Sequence, residues 1–338
     1  MISGETMKLF IVLLLVLLCG LPGCSENKIF ITQKGYTERE TIKSELNVDA
    51  KAYLDISNGA GRIEVFGHDK DVVLIEAIKH ARDATELKYM EPEIQSTNNS
   101  VVIRTNYLKS FVHGVIDYKM FVPHTMKIRR ARTGSGSIII SQMFEDMNVE
   151  SGAGRIELKA VKKNVTAQTG SGSIYVVNHE DAQGAIKVET GSGRIEVSQA
   201  AGSVAATTGS GAISVTFNPK SKGSVDAQTG SGRIYLTQCS DSVTAQAESG
   251  TIIVDQKKVS EDNEINIRTS SGRIELRLPG DTNAKIEVIA PLGRLISDFD
   301  IFGSDEDSNR GEISGTIGEG GAAISLKSAT GDIEIIKK

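Results

Sequence analysis

The chain has 338 residues, with 38 Lys and Arg against 43 Asp and Glu and a formal charge of −5. That mildly acidic balance excludes the basic footprint on which nucleic-acid binding rests. It is 39% hydrophobic and 5% aromatic, has no tryptophan and contains 34 glycines, a composition that fits a β-rich ectodomain with many turns.

Residues 1–23 read as a targeting segment outside the fold. Lys8 precedes the apolar run Leu9 to Leu18, too short for a spanning helix, and Leu21-Pro22-Gly23-Cys24 follows. The pattern resembles a bacterial lipoprotein signal in which Cys24 becomes the lipid-attachment residue; Pro22 departs from the usual lipobox, and Met7 as start gives a cleaner n-region. The alternative is an ordinary signal peptide with an incidental cysteine. More than one acyl chain on Cys24 makes anchoring durable. Ser25, with no Asp after the cysteine, favours the outer membrane by analogy with lipoprotein sorting, so the expected location is the cell envelope with the membrane as a partner through the lipid. Cys19 lies in the leader and Cys24 is modified, which leaves Cys239 with no disulfide partner; it reads as an inert small hydrophobe.

Residues 24–48 are polar without a clear period and read as a tether. An N-terminal β module is expected over 49–130. It holds strands at Val72–Ile78, Val101–Thr105 and Ile116–Val122, with a short helix from the cap Asp83 to about Met90.

From residue 131 to 338 one phrase recurs: TGSGSIII from Thr133, SGAGRIEL from Ser151, TGSGSIYV from Thr169, TGSGRIEV from Thr190, TGSGAISV from Thr208 and TGSGRIYL from Thr229. Its isoleucines fall at Ile138, Ile156, Ile174, Ile195, Ile213, Ile234, Ile252 and Ile274, spaced 18, 18, 21, 18, 21, 18 and 22 residues apart. A fixed period near twenty marks stacked units, none able to bury its apolar face alone. Alternation of apolar residues within each unit gives two short strands around a glycine turn, with glycines supplying positive φ. Small inward residues in the first strand (Val204, Ala206, Thr208) face Ile and Val in the second. The fold class expected is all-β, a parallel β-solenoid of rungs of about 18–22 residues, with a degenerate C-terminal cap beyond Leu278. An antiparallel meander or sandwich is the alternative.

The residue before each isoleucine alternates between arginine and something small: Ser137, Arg155, Ser173, Arg194, Ala212, Arg233, Thr251, Arg273. Alternation separates like charges on neighbouring strands, and Glu157, Glu196 and Glu275 sit two residues on. The row reads first as a solvated, spaced face and second as a surface for an anionic glycan or lipid phosphate. Lys127, Arg129, Arg130 and Arg132 form a separate basic cluster with the same two readings.

No cofactor motif emerges. The glycine pairs precede strands, and G-x-x-x-x-G-K-[ST] is absent. Calcium rolls carry an acid beside their glycines, found here only at Asp332. His68, His80, His113, His124 and His179 are scattered without ligand spacing. The recurring Ser135, Ser171, Ser192, Ser210 and Ser231 read as turn residues bonding local backbone.

Ile56-Ser-Asn-Gly-Ala-Gly-Arg-Ile-Glu-Val65, Asp117-Tyr-Lys-Met-Phe-Val-Pro123, the repeated turns and Gly331-Asp-Ile-Glu-Ile335 together resemble the DUF4097 family of adhesin-like domains. The resemblance covers about Leu54 to the end. It implies an all-β, solenoid-like envelope protein with no established reaction, so no catalytic residue carries over. The expected function is a non-enzymatic, lipid-anchored adhesion or scaffold protein whose partner is a glycan, lipid or protein. Two alternatives stay open. One is a carbohydrate-active β-helix enzyme using Asp298 or Asp300; the other is a partner in envelope-stress sensing.

Overall fold

The computed structural model describes residues 26–27, 36–307 and 311–338. The leader 1–23, Cys24 and most of the residues up to 35 lie outside the described residues. Nearly all regular structure is strand, in two 15-stranded sheets facing each other across one continuous core that runs from Val48 to Ile335. Among the described residues, no helix is long and apolar enough to cross a membrane.

Each rung contributes one strand to each sheet. In the threonine sheet, strands such as Val165–Thr169, Ile186–Thr190 and Val204–Thr208 alternate buried and exposed residues and end on a buried Thr. In the isoleucine sheet, strands such as Ile156–Val161, Ile174–Asn178 and Ile195–Ala200 bury Ile, Val and Leu. Stacking is parallel and in register: Ile156 lies beside Ile174, Ile174 beside Ile195, and Thr169 beside Thr190. The inward residues therefore form ladders of like side chains, small against large, as the period of the sequence implies. The parallel solenoid is the fold, and the antiparallel sandwich is excluded.

The glycine turns differ from expectation in their reason. In the repeats, only Gly61, Gly136, Gly250 and Gly272 take positive φ. At the central turns close approach is what demands glycine: a Cβ on Gly154, Gly172, Gly193 or Gly211 would lie 1.6, 1.9, 1.8 or 1.9 Å from the carbonyl oxygen of the glycine one rung earlier. The exposed serines of T-G-S-G are not the backbone binders either. The threonine hydroxyl two residues before them does that. Thr169 Oγ1 donates to Gly154 O at 2.9 Å, Thr190 Oγ1 to Gly172 O at 2.8 Å, Thr208 Oγ1 to Gly193 O at 3.1 Å and Thr229 Oγ1 to Gly211 O at 2.9 Å. Each hydroxyl ties its rung to the previous one, while Thr169 and Thr190 also accept the N–H of their own Gly172 and Gly193.

The opposite corner explains the uneven spacing. Gln142, Ala160, Gln199 and Gln238, each four residues after a rung isoleucine, have φ of 59°, 52°, 56° and 61°. A left-handed residue there reverses the chain tightly, so short connections at 162–164, 201–203 and 240–242 lead to the next strand. The intervening rungs lack that residue and take the longer connections 179–185, 218–224 and 257–263. Cys239 belongs to this device. It ends the strand Ile234–Cys239, is buried beside the corner like Val161 and Ala200, and burial pushes its thiol up to about 12, which makes it a packing residue.

Sequence order and stacking order part company at both ends. Rung 53–68 sits between rung 100–123 and rung 127–141, with Ile63 beside both Tyr118 and Ile138. At the far end, 322–337 is inserted between 264–278 and 284–297. The stack thus continues through 49–130 with no break in the core at residue 130, where a separate module was expected.

The stretch read as a tether contains the strand Glu38–Asn47, paired antiparallel with Val72–Ala81. Its residues are mostly charged or polar because it is an outer strand, and only Thr41 is buried. The helix is a single turn, Ala84–Leu87, capped by Asp83 as expected, and Met90 already begins the strand Met90–Thr97. That strand closes the threonine sheet at one end and carries Pro92, which cannot extend the ladder outward.

Candidate interaction surface

The alternating arginines lie on the outward side of the isoleucine sheet, at the residue that leaves the glycine turn. Stacking order lengthens the row at both ends, to Arg62, Ser137, Arg155, Ser173, Arg194, Ala212, Arg233, Thr251, Arg273, Asp332 and Arg294. Guanidinium-bearing positions therefore recur every second rung, about 9.6 Å apart for strands ~4.8 Å apart. Arg62 and Arg294 escaped the sequence reading because their rungs are stacked out of chain order. The R-I-E signature at 62–64 was the available signal.

The row is neutralised at its ends and open in its middle. Arg62 Nη1 lies 3.3 Å from Glu64 and its backbone N–H donates to Asp117 at 2.7 Å. Arg155 pairs with Glu157 at 2.8 Å and lies 4.1 Å over the Tyr175 ring. The hydrogen bond from Lys159, followed by the charge of Arg155, holds the Glu157 carboxyl below its ordinary value although burial works the other way. Arg273 pairs with Glu275 at 2.9 Å and with Glu334, and Arg277 adds a second cation to Glu275. Arg294 bonds Asp332 at 2.8 Å through its side chain and 2.9 Å through its N–H, which lowers the carboxyl of Asp332. Among the described residues Arg194 and Arg233 form no ion pair. Small Ala212 lies between them.

The basic cluster lies elsewhere, on the outward side of the threonine sheet near its first rungs. A β-bulge at Arg129 and Arg130 makes both of them exposed. Lys127 pairs with Asp146 at 3.4 Å, Arg132 with Glu150 at 3.8 Å, and Arg129 lies 5.4 Å from the centre of the Tyr53 ring. The structure does not bring this cluster and the arginine row onto one face.

A family model described as Toastrack DUF4097 matches residues 120–263 and 220–336, more than half of the chain. The chain belongs to the Toastrack DUF4097 family. No curated protein matches it. Among solved structures, a "putative lipid binding protein" from Parabacteroides distasonis is similar at 18% identity over 70% of this chain and 94% of that one, with a TM-score of 0.43. A "putative adhesin" from Bacteroides fragilis matches at 13% identity over 70% and 97%, with a TM-score of 0.38. A "putative cell adhesion protein" from Clostridium sporogenes matches at 9% over 89% and 100%, with a TM-score of 0.23.

Three further polar groups of the Toastrack chain have partners within the fold. Asp298 is occupied at the last rung, where its carboxylate accepts the Lys337 N–H at 3.1 Å. His179, Glu180 and Asp181 lie close enough to converge on a cation. However, Nδ1 of His179 accepts the Asp181 N–H at 3.1 Å and Lys162 lies 3.9 Å from the Asp181 carboxylate, so the group is engaged internally. His80 is buried and faces Asp117 at 3.4 Å; burial works against the charged Asp117 carboxyl, but hydrogen bonds from His80 and Arg62 outweigh it and lower that carboxyl.

Proposed function

We propose that this Toastrack protein is a non-enzymatic adhesion or scaffold protein of the cell envelope, held at the outer membrane by lipid on Cys24, with its long outward faces as the interaction surface. The observation that carries the reading is the arginine row, regular over the whole stack yet without an ion pair at Arg194 and Arg233 among the described residues. A rigid ladder of cations at a fixed repeat suits a partner whose anionic groups also recur, such as a charged glycan or a lipid headgroup array. Its rigidity comes from in-register rungs tied by hydroxyl bonds, so little ordering is needed on binding.

Two measurements test this. Fractionation of cells carrying Cys24→Ala should move the protein out of the membrane fraction; persistent membrane association would remove the anchor from the account. Binding of the full chain in detergent to anionic polysaccharide and to vesicles containing anionic lipid should weaken about tenfold in Arg194→Ala/Arg233→Ala and fall with salt. Binding indifferent to both would remove the row. Turnover on a polysaccharide panel that Asp298→Ala or Asp300→Ala abolishes would instead establish the enzymatic alternative.

A further inference from the structure

The repeat breaks its own rule at two successive turns. In the threonine-sheet register the turn reads Thr208-Gly209-Ser210-Gly211 and Thr229-Gly230-Ser231-Gly232, then Ala247-Glu248-Ser249-Gly250 and Thr269-Ser270-Ser271-Gly272. The first glycine of the phrase packs against its predecessor: a Cβ on Gly209 or Gly230 would lie 2.4 Å from a carbonyl oxygen of the rung before. Glu248 and Ser270 are accommodated because pairing runs further along these rungs, with Ser231 beside Ser249 and Ser249 beside Ser271, and the chain turns afterwards at Gly250 and Gly272 with φ of 143° and 151°. Side chains consequently rise where the other turns are bare.

They form one wall of a surface depression of about 360 Å³, whose exposed polar lining is Thr207, Gln228, Gln246, Glu248, Arg268 and Ser270. Thr207, Gln228, Gln246 and Arg268 are successive neighbours in one outward cross-strand row, so their polar groups are spaced by about 4.8 Å. The Glu248 carboxylate lies beside Gly230, 3.9 Å from where a Cβ would stand. Gln228 Nε2 is already committed to Asp226 at 3.1 Å, which orients the amide and leaves its oxygen to accept. Neither Glu248 nor Arg268 forms an ion pair among the described residues.

We propose that this depression is a binding site for a neutral, hydroxyl-rich ligand, a saccharide unit of an uncharged glycan. A carboxylate, two carboxamides and a guanidinium offer planar donors and acceptors side by side, the set that vicinal hydroxyls satisfy because each both donates and accepts. One negative and one positive group cancel, so an anion meets Glu248 and a cation meets Arg268, while an uncharged polyol meets neither penalty. The volume is at the small end of ligand sites and suits one or two sugar rings. The inference deepens the adhesion reading and rests on it, yet it concerns a different sheet from the arginine row.

The test uses the full chain in detergent and a panel of neutral di- to tetrasaccharides of glucose, galactose, mannose and N-acetylglucosamine, read by saturation-transfer NMR and calorimetry. Saturable binding of a panel member, weakened tenfold or more by Glu248→Gly and by Arg268→Ala but unchanged by Thr166→Ala on the same sheet, is the expected result. Both altered side chains are exposed, and an unchanged thermal transition confirms that the fold persists. No saturable binding across the panel, binding indifferent to both changes, or, with a uronic-acid disaccharide run alongside as the anionic arm, binding confined to that sugar and strengthened by Glu248→Gly overturns the site. These outcomes are independent of membrane release by Cys24→Ala, so the site and the anchor fail separately.

Discussion

At the corner leading from the threonine sheet to the isoleucine sheet the chain turns on glycines packed against the glycines of the rung before. At the other corner it turns on Ala160, Gln199 and Gln238, which hold left-handed backbone with side chains intact. The first corner is limited by space and the second by torsion. Space between rungs is set by the ~4.8 Å strand separation and cannot be widened without breaking ladders on both sides, whereas a torsional cost is local. Substitutions at the two corners should therefore differ in size and in sign.

The largest effect is expected for Gly154→Ala. The new methyl would fall 1.6 Å from Gly136 O, and because the obstacle is backbone, whole strands must shift. A loss of about 3 kcal/mol or more follows, comparable with other overpacked interiors. Denaturant titration measures it; a loss below about 1 kcal/mol would show that the turns can separate and that close approach is not what demands glycine.

Next comes the hydroxyl ladder. Thr190→Val keeps shape but removes the donor to Gly172 O and the acceptor of the Gly193 N–H. With the site buried, about 1–3 kcal/mol should be lost. If Ser192→Ala, at the exposed serine of the same turn, cost as much, the division of labour between the two hydroxyls would be wrong.

The solenoid, its rung length and the inward ladders were legible because a period of 18 to 22 residues with internal alternation admits few arrangements. The alternation of arginine with a small residue, which makes a superperiod of 39 residues from Ile156 to Ile195 to Ile234, was visible too, but the cause of that superperiod was not. Nothing in the identities Ala160, Gln199 and Gln238 announces positive φ, since none is glycine or asparagine. Stacking order at the ends was hidden for another reason. Rung 53–68 carries the same phrase as the others, and only tertiary pairing reveals that it lies between 100–123 and 127–141. The arginine row was seen but cut short by that reordering. Glu248 opens the turn before Ile252, an isoleucine counted with the others, although its departure from glycine was the signal of a changed surface.

A gain is expected where the ladder is interrupted. Ala247 replaces the threonine that would donate to Gly232 O, and it is almost fully buried at 6% exposure. Ala247→Thr should add about 1 kcal/mol if the hydroxyl reaches that oxygen. A lower midpoint would mean that the extended pairing at Ser249 has closed the space.

The smallest effect belongs to the torsional corner. Gln199→Gly releases a left-handed strain of roughly 1–2 kcal/mol but adds unfolded-chain entropy worth about 0.5–1 kcal/mol, leaving a net gain of a few tenths to about 1 kcal/mol. Gln238→Gly should do the same two rungs away, and the pair should add within about 0.5 kcal/mol because no contact is shared. Marked non-additivity would mean that corner geometry is transmitted along the stack, so that the alternation of tight and long connections is cooperative. Additivity together with the intolerance of Gly154 confines rung-to-rung coupling to the glycine corner and the two sheets.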